Sequence, residues 1–234
     1  MKRKTWIAAI TALVAAMMLY GSNQTTGGTT HSGTKTLPGF SLDGEKWSYE
    51  GDGLSLTGIL LKPEGQGPFP AIVISHGRGG NADGFAMGKA REMVKWGFVC
   101  IGTNYTHAGG AGSASGPGQG INSGASAENL KRASKCVEIL DSLPYVGRKR
   151  ICACGNSMGA FLTVALAAHM PDRIAAAAIT AGGISERGGF YATPAMAERI
   201  RSPFLIIHGS TDGTVKPESS LRLKEILDRS HVPN

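Results

Sequence analysis

Charge, cysteine and long apolar runs are all scarce in this chain of 234 residues, and each scarcity removes a class of function. Charged side chains make up 18% of the sequence, with a formal net charge of +7. Setting aside Lys2, Arg3 and Lys4 leaves 21 basic against 17 acidic residues, a charge of +4. That is no nucleic-acid footprint. None of the four cysteines has the spacing of a metal site, and none precedes Cys100, which excludes a lipid-modified N-terminal cysteine. Cys100, Cys152 and Cys154 lie in apolar strand-like runs, where a buried thiol is the ordinary state. Cys152 and Cys154 face the same side of one strand and do not bond each other, while a disulfide from Cys136 to one of them stays open. No metal and no organic cofactor is expected.

What remains is a composition suited to one sizeable domain, 41% hydrophobic and rich in glycine, with 34 glycines gathered in loops and between apolar runs. Residues 1–20 pair a basic start with the apolar run Trp6 to Leu19, the pattern of an export signal, and too short to be read as a membrane span. Small residues suit cleavage poorly placed, so an uncleaved N-terminal anchor stays open; membrane contact is expected only through this segment. Residues 21–36 form a Thr/Ser/Gly-rich stretch without periodicity, read as a disordered polar linker. The folded domain is expected over 37–234, in a protein exported to the periplasm or the outside.

Within that domain the apolar pattern changes character once. Glu45 to Tyr49 and Leu54 to Lys62 predict an antiparallel hairpin through Gly51-Asp52-Gly53. Ala71 to Ser75 is then continuously apolar, as a strand buried on both faces must be, and Ala82 to Trp96 has helical spacing. The alternation repeats: strands at Phe98 to Thr103, Ile151 to Cys154, Ile174 to Thr180 and Phe204 to His208; helices at Ser126 to Leu143, Ser157 to His169 and Glu218 to Arg229. The predicted fold class is α/β, a mostly parallel, doubly wound sheet with helices on both faces. Ligands of such sheets sit at the carboxyl ends of the strands.

Three segments occupy those ends. Gly155-Asn156-Ser157-Met158-Gly159 joins a strand to a helix. Among so many glycines this pattern arises by chance about 0.4 times, so its strand-turn-helix setting carries the inference. A serine at a strained corner exposes its hydroxyl, and a side chain at either glycine would strike backbone. The bland alternative is a serine that merely caps the helix. His76-Gly77-Arg78-Gly79-Gly80-Asn81 follows the Ala71 to Ser75 strand, where the N–H groups of Arg78 and Met158 are candidate oxyanion donors. His76 itself reads as a structural hydrogen-bonding residue. His208-Gly209-Ser210-Thr211-Asp212 places a carboxylate after a later strand, either to orient an imidazole or simply to shape the turn before Gly213. Asn104, Tyr105 and His107 follow another strand end and are candidates for the pocket wall.

From about Trp47 to the C-terminus the chain resembles the α/β-hydrolase superfamily, in particular its dienelactone-hydrolase-like branch, through H-G-x-G-G, G-x-S-x-G and H-G-x-x-D-x-x-V. The resemblance implies Ser157 as nucleophile, Asp212 as triad acid, and Arg78 and Met158 as oxyanion-binding residues. Dienelactone hydrolases proper carry cysteine at the elbow where this chain has Ser157. The implied activity is therefore esterase-type, without their particular substrate.

Two further shortages shape the expected function. Ala181 to Ser202 is too short for a substantial cap domain, which suits short acyl esters, small or displayed on larger surfaces. After Glu218 to Arg229, a helix of about 18 Å, His231 is expected at the wrong end of the sheet. A final strand and a histidine-bearing loop find no chain to build them, so the domain is expected to be C-terminally truncated and to lack its triad base. An exported serine esterase forming an acyl-enzyme on Ser157 is the leading expectation. A peptidase or amidase of the same fold and a non-catalytic binding protein are the alternatives.

Overall fold

The computed structural model describes residues 37–109 and 122–234. The expected signal and linker, and most of the loop between His107 and Gly124, lie outside the described residues. Eight strands form one sheet in the order β1-β2-β3-β5-β4-β6-β7-β8. They are β1 (Phe40–Asp43), β2 (Lys46–Gly51), β3 (Leu54–Leu61), β4 (Phe69–Ser75), β5 (Val99–Thr103), β6 (Val146–Asn156), β7 (Ile174–Thr180) and β8 (Phe204–Ile207). The first three pair antiparallel and β3 joins β5 in the same sense. From β5 across β4, β6, β7 and β8 the pairing is parallel.

The expected hairpin is thus a three-stranded meander. Its extra strand, β1, has one half-buried and three exposed residues and therefore shows little apolar signal. β6 begins at Val146, earlier than its apolar run, because the polar residues before Ile151 keep strand geometry and Val146 pairs with Phe69 of β4. The helices are α1 (Met87–Met93), α2 (Ala127–Ser142), α3 (Met158–His169), the single turn α4 (Pro194–Ala197) and α5 (Glu218–Arg229). A π-turn at Ala82–Ala86 leads into α1 and a 3₁₀ turn at Val94–Trp96 ends it, where one continuous helix is predicted. Among the described residues no helix is long and apolar enough to cross a membrane.

Two cores lie on opposite faces of the sheet. Ile72 and Ile74 of β4 join Met93 of α1 on one face, while Ala71 and Val73 join α2, α3 and α5 on the other. Alternate residues of one strand serve both cores, which is why β4 reads as an unbroken apolar run. Every residue from Met158 to Ala168 is buried, so α3 has no polar stripe and is the central helix of its layer.

The same partition closes the question of a disulfide. Cys136 belongs to the α2 face and Cys152 and Cys154 to the α1 face, so the sheet itself separates them. All four cysteines are buried thiols outside any disulfide. Burial raises every thiol, with Cys154 pushed up to about 12. We expect iodoacetamide at pH 8 to modify none of the four in the native protein and all four in denaturant, read as mass added to the intact chain. Native masking of only two, with two resistant to alkylation in denaturant unless reduced, would restore the disulfide.

Candidate active site

The chain order of the sheet makes a crevice before any side chain is considered. From β4 the chain moves to β5 on one side and then to β6 on the other, so β4 and β6 are neighbours whose following segments leave in opposite directions. The carboxyl ends of these two strands are the switch point at which open α/β sheets bind ligands. His76-Gly77-Arg78 leaves β4 there, and Ser157 leaves β6.

Ser157 stands between β6 and α3 with φ 53 and ψ −117, a conformation that costs an L-residue energy unless its surroundings impose it. The surroundings do impose it. A Cβ on Gly155 would lie 2.1 Å from the Gly159 carbonyl oxygen, and one on Gly159 would lie 2.2 Å from that of Ser75. Strand β6, the first turn of α3 and the end of β4 touch backbone to backbone, and only glycine fits. The Ser157 N–H donates to Thr180 O at 3.0 Å, which ties the corner to β7 as well. Its side chain makes no capping bond to the helix, so the bland reading of a capping serine does not hold.

The β4 loop comes within contact of this corner, since a Cβ on Gly77 would lie 3.2 Å from Ser157 Cβ. Met158 N–H opens α3 and so has no intrahelical acceptor. Met158 is buried and Arg78 exposed. Their backbone N–H groups are the candidate oxyanion donors, one on the first turn of α3 and one on the loop that Gly77 brings against Ser157.

Two buried histidines hold that loop. His76 is fully buried; its Nε2 accepts the Tyr105 N–H at 3.2 Å, so the proton resides on Nδ1, which donates to Gly77 O at 2.9 Å. His107 donates from Nε2 to His76 O at 3.0 Å, and its Nδ1 accepts from Gly124 N–H and Asn129 Nδ2, both at 3.3 Å. Tyr105 and His107 are buried in this scaffold and Asn104 accepts the Ala82 N–H. Their hydrogen bonds and ring contacts build the loop. Asn129, fully buried in the first turn of α2, receives Thr106 N–H at 2.9 Å and was not singled out from the sequence. A lone asparagine on an apolar helix face was the available signal.

Asp212 lies in the turn after β8. Its Oδ1 accepts the N–H groups of Thr214 at 2.9 Å and Val215 at 3.1 Å, which holds its carboxyl below the ordinary range. The turn-shaping role is thus performed by one oxygen, and Oδ2 faces His208 Nε2 at 3.7 Å. A groove of about 830 Å³ runs from His208 and Asp212 along the open edge of β8 and beside α5 to Asn234.

No described histidine is hydrogen-bonded to Ser157. His76 and His107 spend both ring nitrogens on the scaffold, and His208 bonds Ser220 and Val215. His169 is exposed and ends α3, about 18 Å along from the corner. His231 is exposed, its N–H donating to Asp228 O, and the Pro233 carbonyl beside it receives Phe204 N–H at the start of β8. That is the opposite end of the sheet, as the helix length predicts. Among the described residues no group of His, Cys, Asp and Glu could hold a metal ion.

Residues 56–234 match the model of the dienelactone hydrolase family. The chain belongs to that family. No curated protein matches its sequence. Solved structures share its α/β-hydrolase fold. Acylaminoacyl peptidase from Pyrococcus horikoshii is 20% identical with a TM-score of 0.68, over 85% of this chain and 36% of that one. Porphyromonas gingivalis dipeptidyl peptidase 4 is 18% identical with a TM-score of 0.64, over 77% and 29%. A cold-adapted esterase from an Arctic intertidal metagenomic library is 17% identical with a TM-score of 0.63, over 82% and 84%. This chain spans about a third of the length of the two peptidases. At these identities the likeness concerns the fold.

Burial of His76 has a consequence for stability. Burial, opposed by its bond to Gly77, lowers its pKa to about 4 from the ordinary 6.5, and burial lowers His107 too. The unfolded chain therefore takes up protons before the folded one does. Stability is complete above pH 6.5 and falls as pH drops toward 4, by roughly 3 kcal/mol from His76 alone. We expect urea unfolding to show this decline and the His76 Cε1–H resonance to stay at its neutral position down to about pH 5. An inflection near 6.5 would remove the buried-imidazole account.

Proposed function

We propose that this chain is a serine hydrolase that cleaves carboxylic esters through an acyl-enzyme on Ser157, with Asp212 as the acid of its triad and the N–H groups of Arg78 and Met158 as the oxyanion site. The observation that carries this reading is the strained corner at Ser157, enforced by backbone contact at Gly155 and Gly159 and unexplained by helix capping. Family membership supports hydrolysis in general. Attack of Ser157 Oγ on an ester carbonyl transfers the hydroxyl proton to a base and forms an oxyanion against the two N–H groups. Collapse expels the alcohol, and water then releases the acid by the same route in reverse.

The base belongs to the proposal as well. Because the described imidazoles are committed elsewhere or lie at the far end of the sheet, we assign the proton acceptor to a group outside the described residues. Without it Ser157 is a weak nucleophile. Short acyl esters are favoured by the segment between β7 and β8, whose one regular element is the single turn α4. Residues 1–20 support export.

The test pairs a fluorophosphonate probe with a substrate screen. In a version of the protein that carries the base, the probe is expected on Ser157 and nowhere else, and Ser157→Ala should abolish labelling with an unchanged thermal midpoint. Where turnover is seen, p-nitrophenyl acetate and butyrate should be cleaved faster than long-chain esters or peptide anilides, and Ser157→Ala should lower the rate by roughly a thousandfold or more. Faster cleavage of anilides would favour the peptidase alternative suggested by the two peptidase structures. Equal labelling of the alanine variant would sink the nucleophile assignment, and no labelling of either in a version that carries the base would favour a binding protein.

A further inference from the structure

We infer that His208 is a positioning residue that fixes the carboxylate of Asp212 through the Val215 peptide and couples that turn, by way of Ser220, to the segment beside Ser157. The inference rests on the role proposed for Asp212 and adds the device that orients it. The His208 side chain is 7% exposed and Ser220 is 4% exposed, so neither is a solvated surface group. His208 Nε2–H donates to Val215 O at 2.9 Å, while the N–H of that same Val215 donates to Asp212 Oδ1. The Val215 residue is thus gripped at both ends. Its carbonyl is held by the imidazole and its N–H aims one carboxylate oxygen, leaving Oδ2 as the oxygen free to orient a base.

The other ring nitrogen carries the coupling. His208 Nδ1 lies 2.5 Å from Ser220 Oγ, and Ser220 also reaches Gly182 O. Around this link the backbone is stitched further, by Ile184 N–H to Ser219 O at 3.1 Å and Ala181 N–H to Ile207 O at 3.0 Å. Gly182 in turn packs on the first turn of α3: a Cβ there would lie 2.3 Å from Ala160 Cβ and 3.5 Å from Ser157 O. A continuous chain of contacts therefore runs from the acid turn to the nucleophile corner, with the imidazole at its middle. The charged groups around the ring are Asp212, at 3.7 Å from Nε2, and Lys216, Glu218 and Lys224, which share the groove.

The two nitrogens can be separated by substitution. In His208→Gln a side-chain amide N–H can replace Nε2–H toward Val215 O, whereas in His208→Asn the shorter amide replaces only the Nδ1 side toward Ser220. We expect His208→Gln to retain the low Asp212 pKa, followed by the carboxyl carbon resonance in the full chain, and His208→Asn and His208→Ala to raise it by about half a pH unit or more. Acylation of Ser157 by the fluorophosphonate probe should fall roughly ten- to a hundredfold in the Asn and Ala variants and little in the Gln variant. Thermal midpoints of the folded variants serve as the control for a merely structural role, which would rank the three by stability instead. Asp212 titrating alike in all variants, or His208→Asn matching the wild type while His208→Gln does not, would overturn the inference. Should Ser157 take no label even in a version of the protein that carries the base, the proposed function fails, and the Asp212 titration still decides the role of His208.

Discussion

Backbone contact between β4, β6 and α3 is the constraint from which the site follows. Gly159 meets the Ser75 carbonyl and Gly155 meets Gly159, so the strand, the corner and the helix are locked without any side chain between them. A methyl group at either place would force backbone apart at the centre of the sheet, where β4 and β6 pair over Ala71 to Ser75. The lock sets Ser157 at a positive φ and sets it beside Gly77, because the strand that ends in Ser75 is the same strand that releases the loop. The nucleophile candidate and the loop that carries Arg78 are thus brought together through sheet order.

A second layer of the design is polar and buried. The loop after β4 carries few apolar anchors, and its position depends on imidazole nitrogens that act as single, directed donors and acceptors. His76 receives Tyr105 N–H and gives to Gly77; His107 gives to His76 O and receives from Asn129 and Gly124. Each ring is satisfied only when neutral, which suits burial and conflicts with any role as a proton-cycling base. Buried polar networks of this kind specify one loop conformation, since a misplaced partner leaves an unpaired group in a low-dielectric interior.

How far the sequence discloses this architecture differs by element. β4 and β7 are read almost to the residue because a strand buried on both faces must be apolar throughout, and α5 because its apolar positions recur at helical spacing. β1 is missed because one sheet edge exposed to water has no such pattern. Among the candidate residues, Ser157, Asp212, Arg78 and Met158 are singled out through glycine spacing and position after strands. Ser220, Asn129 and Gly182 are not, because key partners are distant in sequence: Ser220 stands 12 residues from His208, and Asn129 stands 22 from His107. The Cys136 disulfide shows the converse: local spacing left it open, and only the sheet between the two cores excludes it.

The two oxygens of Asp212 bring these levels together. One oxygen is consumed by the turn, as the sequence signal before Gly213 suggests, and its two N–H partners lower the carboxyl's affinity for a proton. An anionic carboxylate with one oxygen fixed has a defined direction for the other, which is what orienting an imidazole demands. The neighbouring His208 approaches Oδ2 at 3.7 Å but gives its Nε2 proton to Val215 O, so it shapes the carboxylate without satisfying it. Turn formation and the proposed acid function are therefore compatible readings of Asp212. The turn is the means by which a flexible side chain becomes a directed acceptor, and the cost of ordering it is met by backbone donors that the loop must satisfy in any case.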